Sequence, residues 1–256
     1  MDIPGGDKKP RDPGGKTAPG IGRKKLKEGL EDTVILTGLS IISCYPYFLY
    51  LWLQSPSETI GLHLEDRDFN SFLQGEVLVV LGASFFSALV GRFFSRRYGL
   101  AGLGSFAEMF QEIHKFALLA IILIPIFLFV LDPIIFKKMS ILNPRNLWAA
   151  AGVTLKSSIF EEIVLRYGVI TILAGLLRRT YLAVFIGAVL ATLLGIRSGF
   201  MTGMSLEPSI SLILMVTVSL LLNLFYGYLY ASRGLISAMA AHLLIALKYP
   251  LAAIIG

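Results

Sequence analysis

The run FALLAIILIPIFLFVLDPIIF, residues 116–136, contains a single ionisable side chain, Asp132. About 20 apolar residues wound as an α-helix cross a hydrocarbon core of ~30 Å. Working outward from this run, comparable stretches fall at 33–53, 72–94, 147–177, 181–197, 208–230 and 234–255. The stretch 147–177 is too long for one straight crossing. It reads as a tilted helix or as a surface segment followed by a span, so the count is seven or eight. No ten-residue alternation of the kind that builds a membrane β-barrel is sustained anywhere. The expected fold is therefore all-α, a polytopic transmembrane helical bundle. Composition agrees: of 256 residues, 55% are hydrophobic and 16% charged, with mean hydropathy +0.72. A soluble domain carries about 25% charged residues. A soluble enzyme, a disordered chain and a disulfide scaffold are excluded.

Residues 1–32 differ from everything that follows. Pro4, Pro10, Pro13 and Pro19 alternate with glycines and charges, and nothing there can bury a core. The expectation is a flexible basic cytoplasmic tail, followed by a transmembrane helical domain over 33–256. The first apolar run keeps its full length, as an uncleaved anchor does. Arg23, Lys24, Lys25 and Lys27 precede it and read as a topology signal touching anionic lipid. Nucleic acid is not an expected partner, although the formal charge is +6, because excess Lys and Arg in a membrane protein mark cytoplasmic edges. The loop 54–71 is acidic (Glu58, Glu65, Asp66, Asp68), whereas Arg92, Arg96, Arg97, Arg178, Arg179 and Arg233 follow alternate spans. These place the N-terminus inside, with Lys137, Lys138 and Arg145 dissenting.

An ionisable group at the centre of a membrane helix costs at least ~2.5–3.5 kcal/mol on insertion scales, so each needs a reason. Glu76, Asp132 and Lys248 lie near span ends and can reach an interface. The segment Ser157-Ser158-Ile159-Phe160-Glu161-Glu162-Ile163-Val164-Leu165-Arg166-Tyr167-Gly168 is different. Glu162 and Arg166 are four apart and share one helical face, so they can pair. Glu161 then points about 100° away, with no cation three or four residues distant. Ser157 and Ser158 are placed to hydrogen-bond it. Desolvation raises a carboxylate's proton affinity, which suits a general base for water; a structural salt bridge is the competing reading. His242 lies well inside the last span, and Asn223 in the one before it reads as a packing amide.

No metal or cofactor is expected. Cys44 is the only cysteine, and His63, His114 and His242 are widely separated, without an HExxH pair. No Gly-rich phosphate loop or GxSxG elbow occurs.

At this point the sequence resembles the CPBP family of intramembrane proteases, which includes the Rce1-type CAAX prenyl proteases and the Abi proteins. The resemblance covers roughly 145–256. Its EExxxR motif stands as Glu161, Glu162 and Arg166, and a turn at Ala231-Ser232-Arg233-Gly234 leads into the span bearing His242. The resemblance implies glutamate-based hydrolysis of a peptide bond within the membrane. Glu161 would deprotonate a water and His242 would stabilise the oxyanion, a donor worth ~2.7–4 kcal/mol in comparable acyl-transfer sites. Two departures stand out. Where the family has FxxxH, this chain aligns Leu194 and Ser198, with Arg197 beside it as an electrophile that cannot act as a base; and Ala246 replaces an Asn.

Two functions follow from different classes. One is a divergent, membrane-embedded endopeptidase acting on a membrane-tethered or prenylated peptide. The other is a non-catalytic relative that binds a membrane protein partner or a hydrophobic peptide. The expected site gathers Glu161, His242, Ser198 and Arg197 on one polar cavity opening toward the cytoplasmic half, with Glu162 and Arg166 in support. Length, the single cysteine and the absence of a retention motif fit a prokaryotic plasma membrane.

Overall fold

A computed structural model describes residues 23–54, 69–131, 146–201 and 210–255 of the chain. Its helices are α1 (Arg23–Gln54), α2 (Phe69–Phe94), α3 (Phe106–Ile126), α4 (Leu147–Leu155), α5 (Thr171–Leu177), α6 (Thr180–Met201), α7 (Ile210–Arg233), α8 (Leu235–Ala246) and α9 (Lys248–Ile255). A 3-10 turn, Ser95–Tyr98, extends α2, and a π turn, Phe127–Leu131, extends α3. Between α4 and α5 the helix continues through two π-helical segments, Lys156–Glu161 and Ile163–Ile170. The described residues contain no strand.

Among the described residues five helices are long and apolar enough to cross a membrane: Lys25–Trp52, Asn70–Tyr98, Phe106–Leu131, Leu212–Arg233 and Leu235–Ile255. Thr180–Ile196 is apolar but shorter. The continuous helix 147–177 is not among the five and carries Lys156, Glu161, Glu162 and Arg166. The chain is thus an all-helical integral membrane protein.

Helix starts do not coincide with the apolar runs. The run at 116–136 is entered by a helix that already begins at Phe106, because the Ser105 side chain accepts a hydrogen bond from the Ala107 N–H at 3.2 Å and caps it. In the same way α1 begins at Arg23, ahead of the apolar stretch at 33–53, so residues 23–32 of the expected tail are helical. Hydropathy marks what meets lipid; caps mark where a helix starts. Residues 1–22 lie outside the described part. Buried hydroxyls within the spans are satisfied locally: Thr33, Ser40, Ser84, Thr154 and Thr192 each donate to the carbonyl one turn back, at 2.6–2.9 Å.

The core runs along one side of 147–177. Ile163, Tyr167 and Ile170 pack with Tyr230, Leu235, Ala238 and Ala241, each at most 1% exposed. Helix α2 lies against the second π segment, where the Tyr167 ring fills the space that a side chain on Gly91 would need. Tyr167 meets Tyr230 edge-on, with centroids 6.1 Å apart. Helix α1 packs on α2 and α4, α3 packs on α8, and α6 packs on α7.

The turn before α8 is fixed by backbone alone. Gly234 has φ +97° and touches Gly104, φ +80°, at a separation that no Cβ fits. Two N–H groups at the start of α8, from Leu235 and Ile236, donate to the carbonyls of Gly102 and Leu103 at 2.9 and 3.0 Å. Arg233 pairs with Glu112 of α3 at 3.0 Å. The same end of the bundle holds the Arg92–Asp32 pair (2.6 Å), Arg96 and Arg97, and the Arg178–Arg179 turn, whose neighbour Thr180 donates to the Tyr98 carbonyl at 3.4 Å. The basic residues expected on one side of the membrane are therefore gathered at one end.

Candidate functional site

Glu161 and Glu162 diverge within one turn of helix. Glu162 is fully buried, and Arg166 beside it is 1% exposed, with Nε 3.4 Å from the Glu162 Oε2. The four-residue spacing thus forms the expected pair. The Arg166 Nη2 donates to the Asn223 Oδ1 at 2.6 Å. The Asn223 Nδ2 in turn donates to the hydroxyls of Thr192 at 3.2 Å and Ser219 at 3.4 Å. Asn223 therefore orients the arginine as well as packing helices.

His242 joins the same network. Its Nδ1 lies 2.8 Å from the Glu162 Oε1, across 80 residues of sequence. Its ring is stacked on Tyr226, with centroids 4.4 Å apart and planes within 10°. Edge and face of the imidazole are both held.

Glu161 is not without a cation. Its Oε1 accepts from the Lys156 Nζ at 2.8 Å. The two residues are five apart, a separation that an α-helix places on different faces. A π segment bonds i to i+5 and brings them together. Lys156 also sits over the Tyr47 ring, 4.8 Å from its centroid. The serines expected to bond Glu161 do not: Ser157 donates to the Thr154 carbonyl at 3.2 Å, and the buried Ser158 hydroxyl has no hydrogen-bond partner among the described residues.

Glu161 and His242 line one cavity of about 570 Å³. Lys156, Asn223, Tyr226 and Lys248 supply its other charged and polar walls, and most of the remainder is apolar, including Phe160, Val164, Leu194 and Ala246. Leu194 and Ala246, two of the three positions that depart from the family pattern, thus border the cavity. The side chains of Arg197 and Ser198 lie outside the described residues. Tyr47, Tyr50 and Leu51 from the end of α1, Phe127 after α3 and Tyr249 also line it. These segments are remote from the arginine-rich end, so the cavity occupies the opposite half of the bundle. The expectations of an N-terminus inside and of a cavity opening toward the cytoplasm therefore do not hold together. Among the described residues no group of three His, Cys, Asp or Glu side chains could hold a metal ion.

Fold and site define a polytopic membrane protein whose bundle encloses a cavity lined by Glu161, Lys156 and His242. Residues 143–247 match the family described as type II CAAX prenyl endopeptidase, Rce1-like. The matched segment contains Glu161, Glu162, Arg166 and His242. Comparison with curated proteins and with solved structures gives no match.

Lys156, Asn223 and Tyr226 complete the site and were not singled out for it by sequence. The signal for Lys156 was its place one residue before Ser157-Ser158, in a helix too long and too charged for an ordinary span.

Proposed function

We propose that the cavity hydrolyses a peptide bond in a membrane-tethered or prenylated peptide, with Glu161 and His242 supplying the acid–base groups. The observation that carries this is their convergence on one cavity, within a segment of Rce1-like type, from helices eighty residues apart. No cofactor enters this reading. The mostly apolar lining suits a lipid-modified or hydrophobic peptide. The bundle is read as seven or eight spans with the N-terminus inside, in a prokaryotic plasma membrane. The gathering of Arg96, Arg97, Arg178, Arg179 and Arg233 at one end supports that orientation.

The test is turnover of an internally quenched farnesylated peptide in nanodiscs by the parent chain and by Glu161→Gln/His242→Gln. Cleavage by the parent, abolished in the double variant, is the expected result; cleavage surviving in the double variant overturns the reading. A second reading, a non-catalytic binding relative, is favoured by the Lys156–Glu161 ion pair and by Ala246. It predicts an inert parent that still retains the farnesylated peptide in both forms.

A further inference from the structure

We propose that Arg96, Arg97, Arg178 and Arg179 form a binding site for the phosphate headgroup of an anionic phospholipid, in the leaflet at their end of the bundle. The site lies at the opposite end from the cavity, and it stands or falls independently of the peptidase reading.

Two turns remote in sequence make one patch. The 3-10 turn Ser95–Tyr98 touches the turn between α5 and α6. The Tyr98 ring fills the space that a side chain on Gly175 would need, and Thr180 donates to the Tyr98 carbonyl at 3.4 Å. All four arginines are exposed on these turns. Other arginines at this end are paired, Arg92 with Asp32 and Arg233 with Glu112. Among the described residues no carboxylate pairs with any of the four. The fold thus brings together four like charges without a counter-charge, a standing attraction for an anion.

Arg178 supplies a second observation. It caps α5 with φ +53°, and among the described residues no other non-glycine has a positive φ. Its N–H donates to the Ala174 carbonyl at 3.0 Å, closing the helix in the left-handed conformation. Glycine adopts that conformation without steric cost. An arginine there gives the backbone nothing that glycine would not; what it adds is a guanidinium. Membrane topology and the helix dipole ask only for positive charge, which lysine supplies equally. All four residues are arginines, whose planar fork meets two phosphate oxygens at once.

The border of the patch fits the remainder of a phospholipid. Phe94, Leu176, Tyr181 and Leu182 are exposed on the helices that lead away from the two turns, and Phe94 is stacked on Tyr98 at 6.2 Å. A headgroup on the arginines therefore has apolar side chains beside it for its acyl chains. A soluble phosphate or an acidic protein segment would engage the charges alone.

The test is native mass spectrometry of the full chain released from nanodiscs of phosphatidylcholine and phosphatidylglycerol in equal amounts, with thermal unfolding in lipid-free detergent alongside. The parent should retain phosphatidylglycerol in preference. Arg178→Gly should unfold no lower than the parent, because glycine relieves the backbone. It should nevertheless retain phosphatidylglycerol about fivefold less, the worth of one basic side chain at an anionic surface. Arg96→Lys/Arg97→Lys/Arg178→Lys/Arg179→Lys preserves charge and topology and should also lower retention. No preference in the parent, undiminished retention in either variant, or a lower melting temperature for Arg178→Gly overturns the proposal. Displacement of the lipid by inorganic phosphate or by a polyglutamate peptide at equal concentration overturns it too, since that marks a site for soluble anions.

Discussion

The helix 147–177 presents two faces that carry the same charge types in different settings. On its buried side Glu162 and Arg166 have almost no contact with solvent, and Arg166 Nε and Nη1 and Glu162 Oε2 make no hydrogen bond. Proximity of opposite charges, the bonds to Asn223 and His242, and the Tyr226 ring 5.9 Å from the guanidinium carbon keep them compatible with burial. On its cavity side Lys156 and Glu161 are 26% and 36% exposed and lie 2.8 Å apart. Burial makes a charge indispensable to folding, whereas exposure leaves it free to serve chemistry.

That contrast can be broken by mutation. The largest effect should come from Arg166→Ala, which strands a fully buried carboxylate and should destabilise by ~3–5 kcal/mol. Unfolding in detergent checks it, and a melting temperature equal to the parent's would place the pair outside the structural core. Next, Gly91→Val pushes a branched side chain into the Tyr167 ring on the buried side and should cost ~1–3 kcal/mol by overpacking. An unchanged denaturant midpoint would show that α2 can retreat from the second π segment without penalty. Tyr226→Leu removes the ring stacked on His242 and should cost ~0.5–1.5 kcal/mol beyond the lost area. Broadening of the His242 15N signals would report the loosened ring, and unaltered spectra would mean that Glu162 alone holds it. The smallest effect belongs to the cavity side. Lys156→Met should change stability by no more than ~1 kcal/mol, as half-exposed pairs do. A loss as large as that of Arg166→Ala would erase the distinction between the two faces.

Much of this was legible in sequence. Five of the apolar spans, the Glu162–Arg166 pair and the inward placement of His242 follow from apolar runs, a four-residue spacing and a motif. The start of α3 did not, since a cap, not hydropathy, sets it. The pairing of Lys156 with Glu161 was invisible because helical-wheel reasoning assumes 3.6 residues per turn, and the helix departs from that between the two. The partner of His242 was beyond reach for another reason. Which of two adjacent carboxylates it meets depends on the phase of that helix. Asn223 and Tyr226 face the site through the packing of α7, which no spacing within one helix encodes.

A π turn is an α-helix that has accepted one surplus residue, so the first π segment is a length polymorphism held in place. Deleting Ile159 should return Lys and Glu to a four-residue spacing and preserve their ion pair. The segment from Leu147 to that point would then keep its rotation relative to the carboxylates, because a π turn absorbs its extra residue without changing the phase of the flanking helix. Gly152 would stay set against the Pro46–Tyr47 backbone. The surplus residue is therefore a local bulge beside the carboxylates, one that the contact with α1 does not depend on.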